Sequence, residues 1–197
     1  DSYYASPIPH APLQAPEYLI EKYRKIIGDE EPYLGNVGYF PTRYPRATYA
    51  AMIEYIDIQV GEIVQQLKDN GIYENTIIML TSDNGPTYAG GVDFKYFNST
   101  GVFQNGPKRM KGYTYEGGVR VPFIVSWPNK IKSKRVIDDI SISYDIFPTI
   151  TELSGVNDSN TYPTDGISLY NIFTDKNSSL ERDYIYWEFP SYGGQLA

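Results

Sequence analysis

The stretch from residue 46 to residue 81 leaves this chain few folds to choose from. Tyr49, Met52, Ile53, Ile56, Val60, Ile63, Val64 and Leu67 recur at steps of three and four. That spacing predicts an amphipathic helix over 46–70, with Gly71 as its stop. Directly afterwards Thr76-Ile77-Ile78-Met79-Leu80-Thr81 is an unbroken run of β-formers without alternation. A run of that kind predicts a parallel strand buried on both faces. Val121-Pro122-Phe123-Ile124-Val125-Ser126-Trp127 repeats the pattern. Helix and buried strand in alternation define the α/β class, a mostly parallel central sheet flanked by helices.

The remaining elements fit around this frame. Residues 1–6 read as a strand and 7–16 as a proline-rich loop around His10. Residues 17–27 read as a helix whose Tyr18, Leu19, Tyr23, Ile26 and Ile27 share a face, and 28–45 as a loop. Ser143 to Leu153 predicts a further helix with Ile146, Phe147, Ile150 and Leu153 inward and Gly155 as its stop; Pro148 requires a start near Asp145. Tyr184 to Phe189 is strand-like. Both ends therefore read as the middle of a strand, so the chain is expected to be part of a longer protein, with any targeting segment outside it.

Composition removes several classes of function. A formal charge of −7 and a pI near 4.7 argue against nucleic acid as a partner, because phosphate binding wants a basic footprint. No apolar run approaches the ~20 residues of a bilayer span. Cysteine is absent, which excludes disulfides, Cys-ligated zinc and a Cys nucleophile in these residues. His10 is the only histidine, so a His-rich metal site and two-His catalysis are excluded as well.

In open α/β sheets, sites lie beyond the carboxyl ends of strands, and three segments fall where that rule points. Thr81-Ser82-Asp83-Asn84-Gly85-Pro86 leaves the first buried run, presenting a carboxylate and an amide oxygen of the kind hard cations take. It reads equally as a plain Asp-Asn-Gly turn. Pro9-His10-Ala11-Pro12 follows the expected first strand; flanking prolines suit a group that must be positioned, although a lone histidine is commonly a packing residue. Arg109 to Pro122 sets Lys111 before a Gly-rich turn and the second buried run, and an ammonium there could bind an anion. The alternative is a solvated basic loop. The long segment 86–118 is rich in aromatics that could stack on sugar rings, but in a chain with 20 tyrosines the same rings also read as loop packing.

Taken in order, these segments resemble the sulfatase family of the alkaline-phosphatase-like superfamily. The matching residues are Pro-His-Ala-Pro at 9–12, the long helix with Asp57 and Gly61, Asn75-Thr76 leading to Thr-Ser-Asp-Asn-Gly-Pro at 81–86, and Lys111 through Pro122. Trp127-Pro128, Asp145-Ile146-Phe147-Pro148-Thr149, Asp165-Gly166 and Ser168-Leu169 follow. The resemblance implies hydrolysis of sulfate esters by a formylglycine nucleophile, made from Cys or Ser in a Cys/Ser-x-Pro-x-Arg motif, with a calcium ion. It assigns Asp83 and Asn84 to the metal, Lys111 to a sulfate oxygen, and His10 to the sulfate or the leaving oxygen. It further implies a sulfated small molecule or glycan as substrate and a periplasmic or extracellular location.

The chain departs from the family pattern in two ways. Neither Cys-x-Pro-x-Arg nor Ser-x-Pro-x-Arg is present; the nearest approach, Ser126-Trp127-Pro128-Asn129-Lys130, ends in Lys. The family's first metal-binding acid pair also has no counterpart. Residues 1–197 are therefore expected to be a partial catalytic domain, truncated at its N-terminus, with core sheet and helices over 1–155 and the start of the C-terminal part over 156–197. Alone it is expected to be inactive and to bind calcium weakly or not at all. His10, Asp83, Asn84 and Lys111 are expected at one sheet edge, with the side-chain tips of Lys111 and His10 within roughly 10 Å of the Asp83 carboxylate. Two alternatives keep the same fold: a non-catalytic ion- or glycan-binding module, and a phosphatase or phosphoryl transferase.

Overall fold

A computed structural model describes residues 2–103, 106, 108–132, 134–155, 163–175, 178–190 and 195–196. The chain forms two compact units. The first holds residues 1–70, 81–123 and 186–197; the second holds 71–80 and 124–185.

In the first unit, helix α1 (Glu17–Ile27) packs along helix α2 (Pro45–Asp69). Both helices fall within a residue of their sequence-based bounds. The start of α2 has no cap from its own N-cap residue, Tyr44. Glu30 supplies one from the preceding loop, accepting the Arg46 N–H at 2.6 Å and the Ala47 N–H at 3.0 Å. A carboxylate there meets both the orphan donors and the positive end of the helix dipole. That loop is itself closed by an isolated antiparallel bridge between Tyr33 and Thr42.

The inward face read for α2 needs correction. Its buried residues are Pro45, Ala47, Thr48, Ala51 and Met52, all in the first two turns, whereas Ile53 and Ile63 are exposed. Length gives the reason. At 1.5 Å per residue α1 covers about 17 Å, less than half of the roughly 38 Å of α2. On α1 only Leu19 is buried; Tyr18 and Ile26 face solvent. Leu13, Met52 and Val92 form the core between the proline-rich loop, α2 and the 86–95 segment, with Ile8 and Tyr49 against it.

Asp93 ties that segment to α2, its carboxylate accepting from Arg46 Nε at 2.9 Å and Nη2 at 2.8 Å. Burial pushes the Asp93 pKa up. The Tyr96 N–H, the Arg46 guanidinium and the Lys95 N–H together outweigh it and hold the carboxyl below its ordinary value. A depressed folded pKa contributes stability that is present above the unfolded value near ~4 and lost as pH falls through the folded one. The destabilisation caused by Asp93→Asn should accordingly be larger at pH 7 than at pH 3 in urea titrations; an equal loss at both would deny the ionised pair its role.

Strands β1 (Ile78–Thr81) and β2 (Phe123–Ser126) pair into a two-stranded sheet, shorter than the apolar runs that predict them. They are not buried on both faces: β1 is only half-buried and Ile124 of β2 is 60% exposed. Two strands offer too little surface to enclose each other. Residues 2–6 form no strand, because among the described residues none pairs with them. Short strands β3 (Glu188–Phe189) and β4 (Gln195–Leu196) pair antiparallel.

The short helix α3 (Glu116–Val119) belongs to the first unit. The second holds α4 (Ile146–Leu153), entered through a 3-10 turn at Ser143–Asp145, and α5 (Tyr170–Thr174). Here too the inward face differs from expectation. Phe147 and Ile150 are exposed, while Asp145 and Thr149 are buried. Polar bonds turn the helix this way. Thr149 Oγ1 donates to Asp145 O at 2.6 Å and accepts the Leu169 N–H at 2.8 Å. Asp145 accepts from Ile142 N at 2.9 Å, Ile167 N at 2.8 Å and Arg182 Nη2 at 2.5 Å. No helix is long and apolar enough to cross a membrane among the described residues.

Candidate functional site

All four residues singled out from the sequence lie in the first unit. Beyond Thr81, Ser82 Oγ donates to Asn84 O and Asn84 Nδ2 donates to Gly85 O, each at 3.0 Å. These bonds close the turn after β1. They leave the Asp83 carboxylate exposed and Asn84 Oδ1 as the acceptor that could meet a cation.

The turn is fastened to the Lys111 segment by two backbone bonds, Gly85 N–H to Gly118 O at 2.8 Å and Lys111 N–H to Pro86 O at 3.0 Å. Glycine permits this approach. A Cβ on Gly85 would strike the Gly117 carbonyl, one on Gly117 would stand 2.5 Å from Arg109 O, and one on Gly118 would stand 2.6 Å from Met110 O. Met110 is fully buried and pins the segment. The Gly-rich turn after Lys111 thus works by close packing, which brings the Lys111 backbone beside the Asp83-Asn84 turn. Lys111 is half-buried, and among the described residues its ammonium has no carboxylate partner.

His10 is exposed. It follows no strand, contrary to expectation, and is positioned by packing. Its ring stands edge-on to Tyr39 at 5.8 Å, and Nδ1 lies 2.7 Å from Ala11 O. A carbonyl only accepts, so Nδ1 carries a proton and Nε2 is the nitrogen left for other partners. Ala11 is buried against Gly90, where a Cβ would come within 2.6 Å of the Ala11 methyl. His10 is thereby held by the same 86–95 segment that leaves the Asp83-Asn84 turn. No hydrogen bond or ion pair among the described residues joins His10 to Asp83, Asn84 or Lys111.

Sequence reasoning missed Tyr39, which itself takes a positive φ of 66° next to Gly38 and follows no periodic signal. The Gly85–Gly117–Gly118 contact was visible only as a surplus of glycine.

Asp83 and Asn84 offer hard oxygen donors on adjacent residues, a set that fits a divalent cation such as calcium. They supply part of a shell. Among the described residues no group of three or more His, Cys, Asp or Glu side chains gathers as ligands would.

The chain has the alkaline-phosphatase-like α/β fold, which it shares with the crystal structure of Ps i-CgsB. That structure superposes with a TM-score of 0.70 at 29% identity, over 92% of this chain and 35% of its own. The chain belongs to the sulfatase family: the family model "Sulfatase" matches residues 2–156. It is similar to a sulfatase of Formosa agariphila, 31% identical over 163 residues, which are 76% of this chain and 27% of that protein. It is also similar to BT4656, solved in complex with its substrate D-glucosamine-2-N,6-O-disulfate, at 27% identity and a TM-score of 0.56, over 76% of this chain and 27% of that one. The chain thus spans about a quarter to a third of the relatives it matches.

Proposed function

We propose that these residues form the later half of the site of a calcium-dependent sulfatase that hydrolyses sulfate esters of glycans with a formylglycine nucleophile. The observation that carries the reading is Lys111, a half-buried residue whose ammonium has no carboxylate partner among the described residues, on a backbone hydrogen-bonded beside the Asp83-Asn84 turn. A cation held there without an internal counter-ion suits an anionic group of a substrate. Lys111 contacts a non-bridging sulfate oxygen and offsets the charge that grows as the S–O bond breaks. His10, with Nδ1 fixed on Ala11 O, donates from Nε2 to the leaving oxygen when its ring is protonated. Asp83 and Asn84 would hold the cation. Bound there, calcium would supply Lewis-acid polarisation of the sulfate.

Residues 1–155 carry this half-site and 156–197 begin the C-terminal part of the domain; the parent acts in the periplasm or outside the cell. No Cys/Ser-x-Pro-x-Arg segment occurs in the sequence, so the purified 197-residue chain should release no sulfate from an aryl sulfate above background. Calorimetry should show weak calcium binding or none, because two ligands leave most of a six-to-eight oxygen shell to water. Turnover by the chain alone that disappears in Lys111→Ala would overturn the need for an external nucleophile. Micromolar calcium affinity lost in Asp83→Ala would overturn the half-site. In the natural protein that joins these residues to such a segment, sulfate release should be lost in Asp83→Ala; release unchanged there would sink the metal assignment.

A further inference from the structure

The first unit contains a cavity of about 710 Å³ between the 29–46 loop and the 88–95 segment, within the range of about 300–1,000 Å³ typical of small-molecule sites. One chain segment, residues 86–95, links it to the site described above. The segment that leaves the Asp83-Asn84 turn bonds Lys111 N–H through Pro86 O, packs on the His10 loop at Gly90, and then lines the cavity from Gly91 to Lys95. We propose, resting on the sulfatase reading, that this cavity is the subsite for an uncharged sugar unit joined to the sulfated one.

Aromatic surface supports a sugar. Tyr33, Tyr88 and Phe94 line the cavity. Tyr33 is set in place beforehand. Its hydroxyl donates to Gly38 O and accepts the Val37 N–H at 3.0 Å, and its ring lies so close to Gly91 that a Cβ there would meet it at 2.8 Å. A rigid aromatic face costs little ordering when a pyranose stacks on it. Other rings nearby are engaged elsewhere: Phe97 packs on Tyr49 at 5.3 Å, and Tyr96 lies under the Arg46 guanidinium at 4.4 Å.

Charge decides against an acidic sugar. The lining carries four carboxylates against three cations. Glu30 is held by the start of α2 and Asp93 by Arg46, while Asp29, Glu31, Arg43 and Lys95 of the lining are exposed. Such a lining gives no net positive field to hold a uronate, but it offers acceptors and donors to hydroxyls.

The test is an NMR titration of the chain in calcium-free buffer with two unsulfated probes, neutral N-acetyllactosamine and the uronate-containing disaccharide of chondroitin. N-acetyllactosamine should shift signals of the cavity lining, and the uronate probe should bind about fivefold more weakly. Tyr33→Ala should weaken the neutral probe about tenfold, as loss of an aromatic platform does. Because the Tyr33 hydroxyl fastens its loop, Phe94→Ser serves as a second variant with the same expected loss. The exposed double change Asp29→Lys, Glu31→Lys should raise uronate binding about threefold. Absence of binding, equal binding of the two probes, or indifference of the neutral probe to both aromatic variants overturns the subsite. Neither probe carries sulfate, so such a failure would leave the ester-cleaving reading standing, and loss of that reading would leave this titration unaffected.

Discussion

Replacing Lys111 by alanine in the natural protein that carries these residues with a nucleophile segment should lower kcat for a sulfate ester by about 10²–10³-fold, the usual effect of removing one oriented donor from developing charge. The loss should fall mainly on kcat and less on KM, because the ammonium gains most where negative charge grows in the transition state. Folding should be little affected. What fixes the segment is the Lys111 N–H to Pro86 O bond and the buried Met110, and the variant keeps both. Lys111→Arg should recover only part of the rate, since a planar guanidinium cannot occupy the place of a compact ammonium. Steady-state kinetics on an aryl sulfate, with circular dichroism as the folding control, make the comparison. A kcat within about threefold of the parent would remove Lys111 from the chemistry.

Asp145→Ala should cost about 3–5 kcal/mol of stability, the range for breaking a buried ion pair by deleting one partner. The Asp145 carboxylate is 0% exposed and receives three donors, two backbone N–H groups and the Arg182 guanidinium. Deletion leaves all three without an acceptor in the interior of the second unit, beside an Arg182 Nε that already lacks a partner. Arg182→Met should cost less, because the two backbone donors continue to stabilise the carboxylate. The double variant should fall short of the sum of the single losses, as coupled neighbours do. Urea midpoints of the four proteins measure this; a loss below about 1 kcal/mol for Asp145→Ala would mean that the carboxylate does not organise the unit.

Asp145 also shows where sequence reasoning loses its hold. Proline at 148 places the helix start near Asp145, and the helix begins at Ile146 with Asp145 as its N-cap. Nothing local announces Arg182, 37 positions away, or Ile167, 22 away. Without those partners the apolar Phe147 and Ile150 look like the inward face, when the polar edge is the buried one. The bounds of α1 and α2 were legible because periodicity and prolines act within a few residues. A strand at residues 2–6 was not, because β-forming residues make a strand only where a neighbour completes the ladder. At the site, the rule of strand ends located Asp83 and Asn84 correctly beyond β1. It gave the wrong reason for His10, which is held by Tyr39 and Gly90. Lys111 was singled out through the glycines that follow it, which serve contact between backbones.

Those glycines bear on how the protein would look to a selection experiment. In a library of single substitutions scored for sulfate release, Gly85, Gly117 and Gly118 should be as intolerant as Lys111, even to alanine, since each lacks room for one carbon beside a carbonyl. Ranking positions by intolerance alone would put three residues without functional groups among the apparent catalysts. Scoring the same library for soluble, folded protein would separate them: glycine variants would fail both screens, while Lys111→Ala would fail only the enzymatic one.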